Sequence, residues 1–139
     1  MADRIFLDTN IIVYTLDNEN SIKQLKAKEL LDQFYINQNY AISTQVVQEF
    51  CNVALKKIIP QIPEKMISEF ISTFPTDQVA IININTVLKA LSVREQYKYS
   101  FWDSLIIATA IQSQCNILYS EDLNTGQVIE NCSIVNPFI

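Results

Sequence analysis

Four short apolar runs, separated by segments of helical periodicity, constrain the fold of this chain more than any other feature. Arg4-Ile5-Phe6-Leu7, Tyr40-Ala41-Ile42, Val79-Ala80-Ile81-Ile82 and Asn116-Ile117-Leu118-Tyr119 read as strands, with a weak fifth at Ser133-Ile134-Val135. The runs are continuous rather than alternating, which marks strands buried on both faces, as in a parallel sheet covered by helices. The first stops at Asp8-Thr9-Asn10 and the fourth at Ser120-Glu121-Asp122, so polar groups gather at carboxyl ends.

The intervening segments have helical spacing. Ile11 to Leu16 is a short helical piece. Ser21 caps a helix to about Asn37, with Ala27, Leu30, Leu31 and Phe34 as its stripe and Asn39 as its breaker. Ser43 caps a helix over about 44–58, where Val47, Phe50, Cys51, Ala54 and Ile58 align before Pro60. Pro63 suits a first turn and is followed by Met66, Ile67, Phe70, Ile71 and Phe74. Asn85 caps a helix over about 86–98, and Ser100 opens one to about Gln114 that is apolar on nearly all sides. Strands alternating with helices predict an α/β fold in a single domain over 1–139.

Composition then removes most chemistry. There is no histidine, which excludes Ser-His-Asp triads, Cys-His pairs and HExxH zinc sites. One glycine, Gly126, excludes glycine-rich phosphate loops. Cys51, Cys115 and Cys132 show no CxxC spacing and suit a reducing cytoplasm. No apolar run is long enough to cross a bilayer, and Asp3, Arg4 and Asp8 interrupt the stretch a signal peptide would make apolar. The expected location is cytoplasmic. Ten Lys and Arg against fifteen Asp and Glu give a charge of −5, which argues against a basic nucleic-acid coat. The polar chemistry that remains is carboxylate, and carboxylates act most independently as ligands for hard divalent cations.

Four acids stand out. Asp8 and Asp122 follow strands, at the edge where open α/β sheets bind ligands. Glu49 has Val46 and Val53 as helical neighbours, and Asp103 lies in the first turn of the most apolar helix. Each has an ordinary structural explanation: Asp8 as an N-cap, Ser100-x-x-Asp103 as a capping box, Glu49 as the wet edge of a helix, and Glu121-Asp122 as a polar turn. The four together are harder to explain so.

At these residues the chain resembles the PIN-domain ribonucleases, specifically the VapC-type toxins of type II toxin–antitoxin modules. The matching segments are Phe6-Leu7-Asp8-Thr9-Asn10, Ser43-Thr44-Gln45-Val46-Val47-Gln48-Glu49-Phe50, Ser100-Phe101-Trp102-Asp103-Ser104-Leu105-Ile106 and Leu118-Tyr119-Ser120-Glu121-Asp122-Leu123. The resemblance implies a three-layer α/β/α PIN-like fold around a mostly parallel sheet of four to five strands, usually ordered 3-2-1-4-5. It implies that Asp8, Glu49, Asp103 and Asp122 are the catalytic and metal-binding residues, with Glu121 flanking, and that Asn10 and Ser120 support them. Mg²⁺, or Mn²⁺ in its place, is the implied cofactor, and an RNA phosphodiester cut to leave a 5′-phosphate and a 3′-hydroxyl is the implied reaction. A cognate antitoxin and a homodimer are the implied partners, with no membrane association.

The charge objection weakens once four ligating carboxylates are set aside, because eleven acids then face ten bases. Lys23, Lys26, Lys28, Lys56 and Lys57 are candidates to line the RNA approach, although ordinary solvated helix faces explain them equally well. A dehalogenase-like phosphatase would need a second Asp where Asn10 stands. The remaining alternative is a catalytically silent PIN-like module that binds RNA or protein. Apolar residues make up 49% of the chain, and the segment from Ile58 to Phe74 is especially rich in them. That predicts partner-covered surface there and on the helix at 44–58.

Overall fold

The structure, a computed structural model, describes residues 2–56 and 62–139. In chain order its elements are β1 (Ile5–Leu7), α1 (Thr9–Val13), α2 (Ser21–Asn37), β2 (Tyr40–Ser43), α3 (Thr44–Lys56), α4 (Glu64–Ile71), β3 (Val79–Ala80), α5 (Ile84–Tyr97), α6 (Phe101–Gln112), β4 (Ile117–Tyr119), β5 (Val128–Ile129) and β6 (Cys132–Val135). Single 3₁₀ turns follow α1 at Tyr14–Leu16 and precede β3 at Thr76–Gln78.

The apolar runs pair into one sheet ordered β3-β2-β1-β4-β6-β5. Every neighbouring pair is parallel except β5 with β6. β1 is central, with Phe6 opposite Ala41 on one side and Leu118 on the other. All residues of β1 and β2 are buried, as strands covered on both faces require. The fold is the expected α/β/α arrangement, and the 3-2-1-4-5 order is present when the strand at Cys132–Val135 is counted fifth. The unexpected sixth strand is β5, which folds back on β6 through Glu130 and Asn131, both at positive φ (46° and 69°), as a two-residue hairpin demands.

Helix stripes close the core. Ala27, Leu30, Leu31 and Phe34 of α2 are buried, as are Val46, Phe50 and Ala54 of α3 and an unbroken run from Ser104 to Ala110 of α6. Each large apolar side chain sequestered this way contributes about 1.5–3 kcal/mol.

Several boundaries differ from expectation. Asn20 rather than Ser21 caps α2, its side chain accepting the Lys23 N–H, and Gln38 in the left-handed region ends that helix before Asn39. Asn83 rather than Asn85 caps α5, in a reciprocal capping box with Thr86. β3 stops at Ala80, leaving Ile81 exposed, and α6 ends at Gln112. In the two capping cases an Asn one or two residues upstream places its oxygen on the third helical N–H, and that geometry decides the start. Pro63 stands just before α4 rather than inside its first turn. Lys57, Ile58, Ile59 and Pro60 lie outside the described residues.

β1 has its chain-order successor β2 on one side and β4 on the other. The connections therefore diverge at β1, which opens a crevice at the carboxyl ends of β1 and β4. Asp8 and the segment Ser120 to Asp122 stand there.

Candidate functional site

Asp8 is buried at the end of β1, its backbone N–H donating to the Tyr119 carbonyl at 3.0 Å across to β4. Its carboxylate accepts the Thr9 N–H at 2.7 Å on Oδ1 and the Ser120 hydroxyl at 2.8 Å on Oδ2. The capping explanation of Asp8 is therefore correct as far as it goes: one oxygen closes the start of α1. The other belongs to a chain of contacts, because Ser120 Oγ also accepts the Asp122 N–H at 3.2 Å. Asn10 Nδ2 then donates to Asp122 Oδ2 at 2.8 Å. Four of the residues singled out in the sequence thus form one hydrogen-bonded unit across two strand ends. Thr9 joins them through its backbone, a contribution no side-chain pattern could reveal.

Burial raises the Asp8 pKa from 3.8 to about 6, against the two hydrogen bonds and with help from the charges of Glu49 and Asp122. Glu49, on α3, is raised by partial desolvation and by the charge of Asp103, while a hydrogen bond from Gln45 opposes the rise. Asp122 is raised by desolvation and by the charges of Glu121 and Asp103, opposed by Asn10. The four acids therefore form a closed electrostatic ring, in which the charges of Glu49 and Asp122 raise Asp8 and the charge of Asp103 raises both Glu49 and Asp122.

Asp103 resolves differently from a full capping box. Its backbone N–H donates to Ser100 Oγ at 3.1 Å, and Ser100 alone caps α6. The carboxylate makes no return bond to the Ser100 N–H and stays available to the ring.

Glu121 is occupied elsewhere. Lys23 pairs with its Oε2, and the Tyr14 hydroxyl donates to Oε1 at 2.6 Å. Burial pushes Glu121 up, but those two donors outweigh it and hold the carboxyl below its ordinary range. Lys23, a candidate for the RNA approach, thus spends its charge on Glu121 and lies over the Tyr14 and Phe138 rings, 5.0 and 5.7 Å from their centroids. Tyr14 was not singled out in the sequence, since nothing local announces a partner 107 residues along the chain, and neither was Gln45, although it stands one helical turn before Glu49.

The donor set suits a hard divalent cation. All four side chains offer carboxylate oxygen, Asp8, Glu49 and Asp122 are each raised by the charge of another member, and Lys23 is committed to Glu121. Among the described residues no three acids stand together at the spacing of a coordination shell. Such a ring fits an ion that keeps several of its own waters, as Mg²⁺ does.

A family model for the PIN domain matches residues 5–128. Three solved structures are similar in fold. A toxin–antitoxin complex from Klebsiella pneumoniae aligns with a TM-score of 0.71 at 23% identity, covering 96% of this chain and 97% of that one. VapBC2 from Rickettsia felis, bound to a DNA fragment from its promoter, aligns at 0.69 and 18%, covering 94% and 96%. The sarcin–ricin-loop-cleaving toxin VapC20 from Mycobacterium tuberculosis aligns at 0.67 and 14%, covering 91% and 97%. Comparison with curated protein sequences finds no match.

Proposed function

The chain belongs to the PIN domain family, and on that premise we propose that it is a divalent-cation-dependent endoribonuclease, the toxin of a toxin–antitoxin pair. The observation that carries the reading is the ring of Asp8 and Asp122 at strand ends with Glu49 on α3 and Asp103 on α6, each acid raising or being raised by a neighbour. These four residues would hold Mg²⁺ or Mn²⁺, with Asp122 rather than the lysine-paired Glu121 as the fourth acid.

When bound, such an ion lowers the pKa of a coordinated water and offsets charge on phosphate oxygens. The protein's own part is positioning. Ser120 and the Thr9 N–H orient the Asp8 carboxylate and favour its ionised form against the cost of burial. Asn10 orients Asp122, and Gln45 stabilises ionised Glu49. A phosphodiester reaching the ring meets oriented oxygens that need no reorganisation.

The fold neighbours that are toxin–antitoxin complexes support an antitoxin partner. A groove of about 670 Å³, lined mainly by apolar residues including Val47, Ile71, Phe74, Val79 and Ile81, would take the antitoxin's chain. Gln48 lines both this groove and the cleft holding Glu49, so the two adjoin, and a basic antitoxin side chain would reach toward the acids from it. A homodimer belongs to the same proposal.

Purified protein incubated with single-stranded or loop-containing RNA and Mn²⁺ is expected to make internal cuts that EDTA stops and Asp8→Asn abolishes. Cleavage that survives both would overturn the mechanism. Melting the protein with and without Mn²⁺ gives an independent readout: a saturable rise that Asp8→Asn removes.

A further inference from the structure

Beside the acid ring lies a second, chemically different space. A cleft of about 350 Å³ is lined by Gln45, Gln48, Glu49, Asn52 and Trp102. Apart from Glu49 its walls are carboxamides and one aromatic ring. Trp102 is 63% exposed, a large area for an aromatic side chain to leave in water, and stands immediately before Asp103. It is not a loose ring. Phe101 meets it edge to face, with centroids 5.2 Å apart and ring planes at 75°, and buried Gln45 donates to its backbone carbonyl at 3.1 Å, tying the start of α6 to α3.

We propose that this cleft is a nucleobase pocket, in which Trp102 stacks on an unpaired base of the RNA while Gln48 and Asn52 hydrogen-bond its edge. The inference rests on the ribonuclease reading and deepens it. A nucleotide is charged at its phosphate and neutral at its base. The acid ring accepts a phosphate only across a cation, whereas the cleft that shares Glu49 with it is otherwise uncharged and accepts a flat, uncharged, hydrogen-bonding ring. Single-stranded RNA is recognised in this way, by stacking on aromatic side chains and by contacts to base edges. Carboxamides offer a donor and an acceptor side by side, which matches the adjacent amine and ring nitrogen of adenine, so adenine is the preferred base. Gln48, Asn52 and Lys56 follow one another along α3 at helical spacing, so exposed Lys56 extends the same face toward the next phosphate. Gln45 acts here as a positioning residue and Trp102 as the stacking platform.

Trp102 is the chain's single tryptophan, so its fluorescence reports on the pocket alone. The test titrates labelled oligoadenylate and oligouridylate into the Asp8→Asn protein, which should bind them without cutting, following Trp102 emission and the anisotropy of the label together. Saturable quenching is expected, with oligoadenylate bound more tightly. Trp102→Ala should weaken oligoadenylate binding about tenfold, within the range that loss of one stacked base produces, and Trp102→Phe should restore most of it. Gln48→Ala combined with Asn52→Ala should erase the difference between the two RNAs. Because these side chains are exposed, unchanged melting temperatures confirm that each variant is folded. RNA that binds by anisotropy without quenching, and with equal affinity for Trp102→Ala, overturns the pocket and leaves the ribonuclease reading standing. A Trp102 that responds only to a protein partner likewise overturns it. No RNA binding or cleavage by the unsubstituted protein overturns both readings.

Discussion

Burial lifts Asp8 to about 6 even though Ser120 and the Thr9 N–H both donate to it, so the folded protein binds a proton that the unfolded chain has released. The sign follows directly. Between about pH 4 and pH 6 the folded state holds more protons, and the stability of the metal-free protein falls as pH rises through that window, by up to roughly 3 kcal/mol. Asp8→Asn should flatten this dependence and leave the metal-free protein at neutral pH at least as stable as the parent. Melting temperatures from pH 4 to pH 8 check it, and identical slopes for parent and variant would refute it. Asp103 supplies a contrasting case, because its backbone N–H serves the cap while its carboxylate does not. Asp103→Asn should therefore change metal-free stability by less than about 0.5 kcal/mol while removing the Mn²⁺-induced rise in melting temperature. Equal destabilisation with and without Mn²⁺ would make it a capping residue only. Strand-end positions made Asp8 and Asp122 visible in the sequence, and apolar helical surroundings did so for Glu49 and Asp103. The choice between Glu121 and Asp122 was not visible, because Lys23, which claims Glu121, is 98 residues away.

At the scale of elements, the scarcity of glycine has a structural cost. Gln38, Lys98 and Gln114 adopt φ values of 54°, 65° and 60°, with Gln38 and Lys98 ending α2 and α5 where glycine is the usual residue. A side chain in that conformation is strained by roughly 1 kcal/mol. Lys98 is exposed and uses its backbone N–H, not its side chain, to bond the Arg94 carbonyl. Lys98→Gly should raise stability by about 1 kcal/mol, read as a higher denaturant midpoint with an unchanged slope. A lowered midpoint would show that the ammonium group matters more than the strain. The stripes of α2 and α6 were legible because each follows from local spacing. The ends were less so: Asn20 and Asn83 won over Ser21 and Asn85 by reaching the third helical N–H, a matter of backbone direction at the junction rather than composition.

For the whole molecule, apolar surface is the open account. The sequence placed it between Ile58 and Phe74, yet Ile67 and Phe74 are buried there, Met66 is exposed, and Ile58 and Ile59 lie outside the described residues. A further apolar stripe stands on α5, where Ile84, Leu88 and Leu91 are 73%, 58% and 50% exposed, with Ile81 just before them at 78%. An exposed apolar face of this kind would be covered in a symmetric pair. Light scattering of the purified chain is expected to give a dimer that Leu88→Glu splits. A soluble monomer across a hundredfold range of concentration would refute the homodimer.

The sequence by itself determined the alternation of strands and helices, the sidedness of the helices and the carboxylates at strand ends, because apolar spacing and residue chemistry are local properties. Tertiary structure decided what depends on distant partners. It hairpinned β5 onto β6, and it joined Ser120 to Asp8 across 112 residues. It turned Glu121 toward Lys23 and left Asp122 to the ring, and it brought Trp102 beside the amides of α3. Those outcomes are set by which strands lie side by side at the centre of the sheet, and packing of the whole chain, not any window of it, chooses that order.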